Sequence, residues 1–249
     1  MRKYALCCFN TQERFASQLQ IARLDWSATT GPLYYLFRLW QRFRPYHATS
    51  TFRENGSFDP LFLKAPANVY LHGYFQSERY FAANTALLRK EFSFRNEPTE
   101  TNRKIARQIK ATQAVSIHIR RGDYVSDTHT HQVHGVCSLE YYEESVKRVT
   151  SKVMAPHFYV FSDDPVWVRE NLHIEQPVTF ISNNSPDQAH EDLHLMSLCQ
   201  HHIIANSSFS WWGAWLNPNP DKIVMAPQRW YNDPNKDTRY LLPETWVKV

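Results

Sequence analysis

The chain has 249 residues, enough to bury a substantial core and to form one large or two small domains. With 43% hydrophobic and 14% aromatic residues and only six glycines, its composition excludes a disordered or fibrous protein. A net charge of +4, scattered along the chain, argues against a nucleic-acid binder, which would gather its Lys and Arg on one face, and favours a small anionic ligand.

The opening apolar stretch, Tyr4 to Phe9, is too short for a signal-peptide core, and no run approaches the length of a membrane span. Cys7, Cys8, Cys137 and Cys199 have the spacing of neither a disulfide framework nor a metal site, which favours a reducing compartment. These features predict a cytoplasmic protein with at most a peripheral membrane contact. The aromatic-rich stretch Leu33 to Phe43 reads as a buried helix, and Arg53 to Pro66 as a loop broken by Asn55-Gly56 and Pro60. Val69 to Gly73 reads as a short strand, and Ser77 to Phe92 and Thr101 to Ile109 as helices. An N-terminal domain is expected over residues 1–110 and a second over 111–249.

From residue 111 the pattern is regular. Val115, Ile117 and Ile119 alternate with Ser116, His118 and Arg120 in a strand that ends at Gly122. A long loop is expected from Asp123 to Cys137. Ser138 caps a helix with the apolar stripe Leu139, Tyr142, Val146 and Val149. His157 to Phe161 reads as a strand, and Asp164 as the cap of a helix opened by Pro165. Val178 to Ile181 is a third strand, followed by a polar loop over Ser182 to Gln188 and a helix from Ala189. Ile203-Ile204-Ala205 reads as a strand, Asn206-Ser207-Ser208 as a turn into a tryptophan-rich helix, and Ile223-Val224-Met225 as a further strand. Alternating strands and helices predict an α/β fold with a parallel sheet covered on both faces.

Polar residues recur just after strands: Arg120 and Asp123, Asp163, Asn183, and Asn206 to Ser208. Open α/β sheets bind ligands outside the carboxyl ends of their strands, so these groups mark one binding edge. The turn in "ANSSFSWWG" offers N–H groups, hydroxyls and a positive helix terminus to an anion. Alone it reads as an ordinary cap; beside Arg120-Arg121, whose guanidinium forks match phosphate oxygens, it favours phosphate binding. No P-loop lysine or glycine-triplet fingerprint is present. Asp163-Asp164 resembles the metal-binding acidic pair of some glycosyltransferases, but the capping role of Asp164 is the stronger reading. His129, His131 and His134 in "THTHQVH" lack the fixed spacing of a metal site, and one of them is expected to touch ligand.

Five stretches, "VYLHGYFQSERYF" (69–81), "HIRRGDYV" (118–125), "HGVCSLEYY" (134–142), "FYVFSDDPVWV" (158–168) and "DLHLMSLCQHHIIANSSFSWWGAWLN" (192–217), together resemble the α-1,2-fucosyltransferases of glycosyltransferase family eleven, known mostly from bacterial glycan and O-antigen synthesis. The resemblance spans roughly three quarters of the chain. It implies a GT-B-like fold with a Rossmann-type C-terminal sheet and a smaller N-terminal domain. It also implies a membrane-associated, metal-independent enzyme without a cofactor that moves L-fucose, with inversion at its anomeric carbon, from GDP-fucose to the 2-hydroxyl of a terminal galactose on an oligosaccharide or glycolipid.

Carried across, Arg120 would stabilise the departing diphosphate, Arg121 would assist or hold the loop, and His118 would lie against the nucleotide. Asp192 would read guanine, and Ser208, Phe209 and Ser210 would cradle the pyrophosphate, flanked by Asn206, Ser207 and Asp163. Asp123 is the candidate for the base that deprotonates the acceptor hydroxyl or for the residue that orients the acceptor, with His134 second. The family's opening G-G-L-G-N-Q segment has no counterpart in "MRKYALCCFNTQERFASQLQ", so a truncated or replaced N-terminal part is expected. Two alternatives remain open: a fucosyltransferase of α-1,6 type, and a non-catalytic nucleotide-sugar-binding protein.

Overall fold

The structure, a computed structural model, describes residue 4, residues 6–17, 20–21, 24, 35–36, 39–40, 42–43 and 51–249. It divides into two compact units, one of Met1–Thr11, Ala86–Lys236 and Glu244–Val249, the other of Gln12–Thr85 and Asp237–Pro243. The boundary expected at residue 110 therefore falls inside the first unit, because the helix ending at Lys110 packs its Ile109, fully buried, into the core of the sheet that follows.

In the second unit, β1 (Thr51–Arg53) pairs in parallel with β2 (Tyr70–His72). Phe52 is buried there, with its ring edge-on to Phe62, which packs in turn against Phe75 and Tyr80. The long helix expected over Ser77 to Phe92 is broken: two 3-10 turns, Glu78–Tyr80 and Ala82–Asn84, precede α1 (Thr85–Glu91), which belongs to the first unit from Ala86 onward. Ser77 accepts the N–H of Arg79, and Phe81 turns out of helical geometry at φ −133°, so the segment starts twice. The buried helix expected over Leu33 to Phe43 lies partly outside the described residues. Within it Tyr35, Leu36, Leu39, Trp40 and Phe43 are between 53% and 80% exposed, contrary to the expectation. An apolar stripe marks a face able to bury itself, and burial needs a partner from elsewhere in the chain.

The first unit carries α2 (Glu100–Lys110), β3 (Gln113–Ile119), α3 (Gly122–Ser126), α4 (Thr128–His134) and α5 (Leu139–Thr150). After these come β4 (Pro156–Ser162), α6 (Pro165–Asn171), β5 (Val178–Ile181), α7 (Ala189–Leu198), β6 (His201–Ile203), α8 (Ser208–Leu216), β7 (Val224–Ala226) and β8 (Val247–Lys248). Caps predicted from sequence form: Ser138 accepts the N–H of Tyr141, and Asp164 that of Trp167. The expected loop from Asp123 to Cys137 instead holds α3 and α4. Asp127 starts α4 by accepting the Thr130 N–H at 2.6 Å, and Gly135 ends it at φ +67°.

All six strands of the main sheet run parallel in the order β5-β4-β3-β6-β7-β8. Numbered by their own succession this is 3-2-1-4-5-6, the doubly wound Rossmann order, so the fold is α/β of the GT-B-like, Rossmann type. On one face Val115, Ile117 and Ile119 pack against Tyr141, Tyr142 and Val149 of α5; on the other, Ile109, Tyr159, Phe161, Leu195 and Met196 form a second core. No helix among the described residues is long and apolar enough to cross a membrane.

Strand β6 begins two residues before the apolar run that announced it. His201 and His202 are buried because their rings are hydrogen-bonded. The Asn217 amide donates to His202 Nε2 at 2.8 Å, which places the ring proton on Nδ1, 2.7 Å from the Ser116 hydroxyl. Full burial holds the His202 pKa well below the ordinary histidine value, which keeps the ring neutral as that arrangement requires.

Candidate active site

In the Rossmann order the chain winds away in opposite directions from β3 and β6, and the crevice opens between their carboxyl ends. Both strands end in the polar residues singled out above. Arg120 and Arg121 leave β3, Asp163 and Asp164 leave β4, and Asn206 to Ser208 follow β6.

Arg120 is half-buried and braced from two sides. Its Nη1 is 2.7 Å from Asp163 Oδ2 and its Nη2 is 2.5 Å from Asp123 Oδ1, with the Tyr124 ring 5.4 Å from the guanidinium carbon. Asp163 is itself anchored, because its Oδ1 accepts the backbone N–H of Arg121 at 2.8 Å. The carboxylate is thus committed to the two arginines, and the expected substrate contact becomes a contact that sets Arg120. Arg121 points elsewhere: its guanidinium lies 3.5 Å over the Trp167 ring and meets Asp164 at 3.4 Å. This stack holds the loop to α6, while the Arg120 guanidinium stays at the end of β3 between Asp163 and Asp123.

Gly122 is required for this bracing. A Cβ there would overlap Asp163 Oδ2 and lie 3.1 Å from its Cγ. Gly122→Ala is expected to push Asp163 off Arg120 and to cut anion affinity and turnover at least tenfold, with less than about 1 kcal/mol of change in stability for a half-buried position at the start of α3. Calorimetry with GDP beside a thermal melt checks it, and unchanged affinity would remove Asp163 from the role of brace.

His118, near the end of β3, is buried with its ring 5.5 Å from that of Phe209. Its Nδ1 is buried and finds no partner among the described residues. Burial, reinforced by the Arg120 charge, lowers its pKa to about 3, so it is a neutral ring able to bond a ligand. His134 stacks on Tyr124 with centroids 5.0 Å apart and also has a buried, unpartnered Nδ1. Burial lowers its pKa against the opposing pull of Asp123. His131 is tied to the Tyr124 carbonyl at 2.8 Å. No group of three or more His, Cys, Asp or Glu side chains able to hold a metal ion occurs among the described residues.

The turn after β6 divides its labour. Ser207 caps α8 by accepting the Phe209 N–H, and the Ser210 hydroxyl donates to the carbonyls of Ala205 and Ser207, so the Ser210 proton is spent locally. Ser208 is exposed at the first position of the helix. The Asn206 amide is buried and donates to the carbonyls of His134, Gly135 and Trp230 at 2.9, 3.3 and 3.2 Å. Tyr124 reaches across to the Asn206 carbonyl, so α3 and the turn form one wall. Asp192 stands apart, bonded to Asn184 at 2.7 Å near the end of β5, and burial pushes its pKa up to about 6.

Sequence reasoning missed Tyr124, Trp167, Trp230, Asn102 and Asn184. Only Trp167 carried a usable signal, an aromatic one turn into a helix that begins beside two carboxylates.

The description "Glycosyl transferase family 11" matches residues 46–249. The chain is 38% identical to an Escherichia coli protein named alpha-1,2-colitosyltransferase over 73% of its own length and 63% of that relative. It is 42% identical to the Escherichia coli O-antigen biosynthesis glycosyltransferase WbnK over 54% of this chain and 44% of the relative. It is 28% identical to the Mus musculus galactoside 2-alpha-L-fucosyltransferase Sec1 over 64% of this chain and 46% of the relative. The chain therefore spans less than two thirds of the length of each.

Proposed function

The chain belongs to glycosyl transferase family 11, and from that premise we propose that it transfers L-fucose from GDP-fucose to the 2-hydroxyl of a terminal galactose on a glycan, with inversion at the fucose anomeric carbon. The observation that carries the proposal is Arg120: a braced, half-buried guanidinium at the β3 end of a doubly wound sheet, in the crevice that the α8 terminus also borders. Fucosyl transfer builds charge on the departing diphosphate, and a preorganised guanidinium with helix N–H groups stabilises it without reorganising, the part a divalent cation plays in other transferases. Arg120 takes the β-phosphate, Ser208 and the first turn of α8 cradle the diphosphate, and the neutral His118 ring lies against the nucleotide. Asp192 accepts from the guanine edge. Asp123 takes the acceptor proton once the diphosphate competes for Arg120, with His134 as the second candidate.

A second reading keeps this machinery and replaces the fucosyl group by colitosyl, favoured by the 38% identity to the colitosyltransferase. Calorimetry with GDP and GDP-fucose, followed by transfer assays on galactose-ended glycans with and without EDTA, tests both. Binding with turnover that survives EDTA is the expected result. Binding without turnover on any acceptor or with either sugar would mark a non-catalytic nucleotide-sugar binder, and turnover abolished by EDTA would transfer charge stabilisation from Arg120 to a metal.

A further inference from the structure

Asp192 is held by a chain of amides that the proposed chemistry leaves unexplained. Asn102, in the first turn of α2, is fully buried, although an asparagine side chain is costly to bury without partners. Its Nδ2 donates to Asn184 Oδ1 at 2.8 Å, and Asn184 Nδ2 returns a bond to Asn102 Oδ1 at 3.3 Å, a reciprocal amide pair. Asn183 donates to both oxygens, at 2.9 Å to Asn102 and 3.0 Å to Asn184. With its oxygen receiving two donors, the Asn184 amide has only its NH2 to turn toward α7, and it donates to Asp192 Oδ1 at 2.7 Å. The second carboxylate oxygen accepts no hydrogen bond among the described residues. The same helix is tied to α2 once more, where the Thr99 N–H meets Glu191 Oε1 at 3.3 Å.

We infer that Asn184, oriented by Asn102, is the positioning residue that fixes Asp192 as an acceptor for the guanine edge of the donor nucleotide, an inference that rests on the guanine-reading role proposed above for Asp192. Guanine offers two adjacent donors, the ring N1–H and the 2-amino group, and a carboxylate turned edge-on accepts both. A freely rotating carboxylate would lose that alignment, and a flipped Asn184 would set its own oxygen against the carboxylate. A flip of Asn184 alone would leave Asn102 Nδ2 without its acceptor, and a joint flip would turn two NH2 groups toward the Asn183 donor. No part of this chain touches the reacting atoms, so its effect falls on nucleotide choice and affinity rather than on the chemical step.

The amide chain also sets the pH range. Burial raises the Asp192 pKa, the Asn184 bond opposes it, and Glu191 beside it raises it further. A carboxyl with a pKa of about 6 is ionised above pH 6 and accepts; below, it is protonated and guanine affinity falls, by up to tenfold per pH unit. Removing the Asn184 donor raises the pKa, so the midpoint of that fall moves to higher pH.

The test compares Asp192→Asn and Asn184→Ala by calorimetry with GDP and with inosine diphosphate, which lacks the 2-amino group, between pH 5 and 8. Asp192→Asn is expected to weaken GDP by about tenfold or more and to erase its preference over inosine diphosphate. Asn184→Ala is expected to weaken GDP about threefold to tenfold at pH 7, to reduce the preference, to shift the pH midpoint upward and to leave kcat at saturating donor unchanged. If Asp192→Asn leaves GDP binding intact, the guanine-reading role itself is wrong. If Asp192→Asn has its effect while Asn184→Ala changes neither the preference nor the midpoint, the positioning role alone is overturned.

Discussion

Arg120→Ala is expected to lower kcat about a hundredfold or more, the usual consequence of removing one preorganised donor from a developing oxyanion. The argument is geometric. Arg120 is held at the end of β3 between Asp163 and Asp123, whereas Arg121 is stacked on Trp167 and paired with Asp164. Its bonds to Asp163 and Asp123 hold the fork before any ligand arrives, so little ordering is left for the transition state. Arg120→Lys separates charge from geometry: a single ammonium keeps the charge but loses the fork, and a loss of about tenfold is expected. Steady-state kinetics beside circular dichroism check both variants. A folded Arg120→Ala protein with near-normal turnover would remove Arg120 from the chemistry.

The second large effect falls on stability. Asn206→Ala strips the shared donor from three carbonyls, those of His134, Gly135 and Trp230, in a position that is 3% exposed. Leaving buried acceptors unpaired is expected to cost about 3 kcal/mol, since each unsatisfied group costs about 1–3 kcal/mol and the three carbonyls relax together. Asn206→Asp keeps the shape but turns an acceptor toward three acceptors, and is expected to cost more. Urea unfolding reads the change as a shift of the midpoint at constant slope. A shift equivalent to less than about 1 kcal/mol would show that Asn206 is not the tie between these segments.

The local elements of the sheet-bearing unit were legible because their signals are local. The alternation in β3, the capping Ser138 and the Asp164-Pro165 start of α6 each depend on neighbours within a few residues. Strand β6 was misjudged by two positions because His201 and His202 look polar, and only bonds to Ser116, Asn217 and Ile223 make them buried strand residues. The helices α3 and α4 were read as loop because their first turns carry little apolar period. The helix expected over Ser77 to Phe92, a segment that passes from one unit into the other at Ala86, failed at its own start signals.

The alternation of strands and helices, the collection of polar residues at strand ends and the arginine pair beside a serine-rich turn belong to the sequence alone, because periodicity and spacing are set by backbone geometry. What each of those residues contacts was decided by tertiary structure. Asp163 became the brace of Arg120, Arg121 turned to Trp167, Asn206 became a tie between segments, and Asn102 met Asn184 across 82 positions. A side chain has more than one chemically suitable partner in its sequence, and only the packing of the sheet brings one of them within hydrogen-bonding distance.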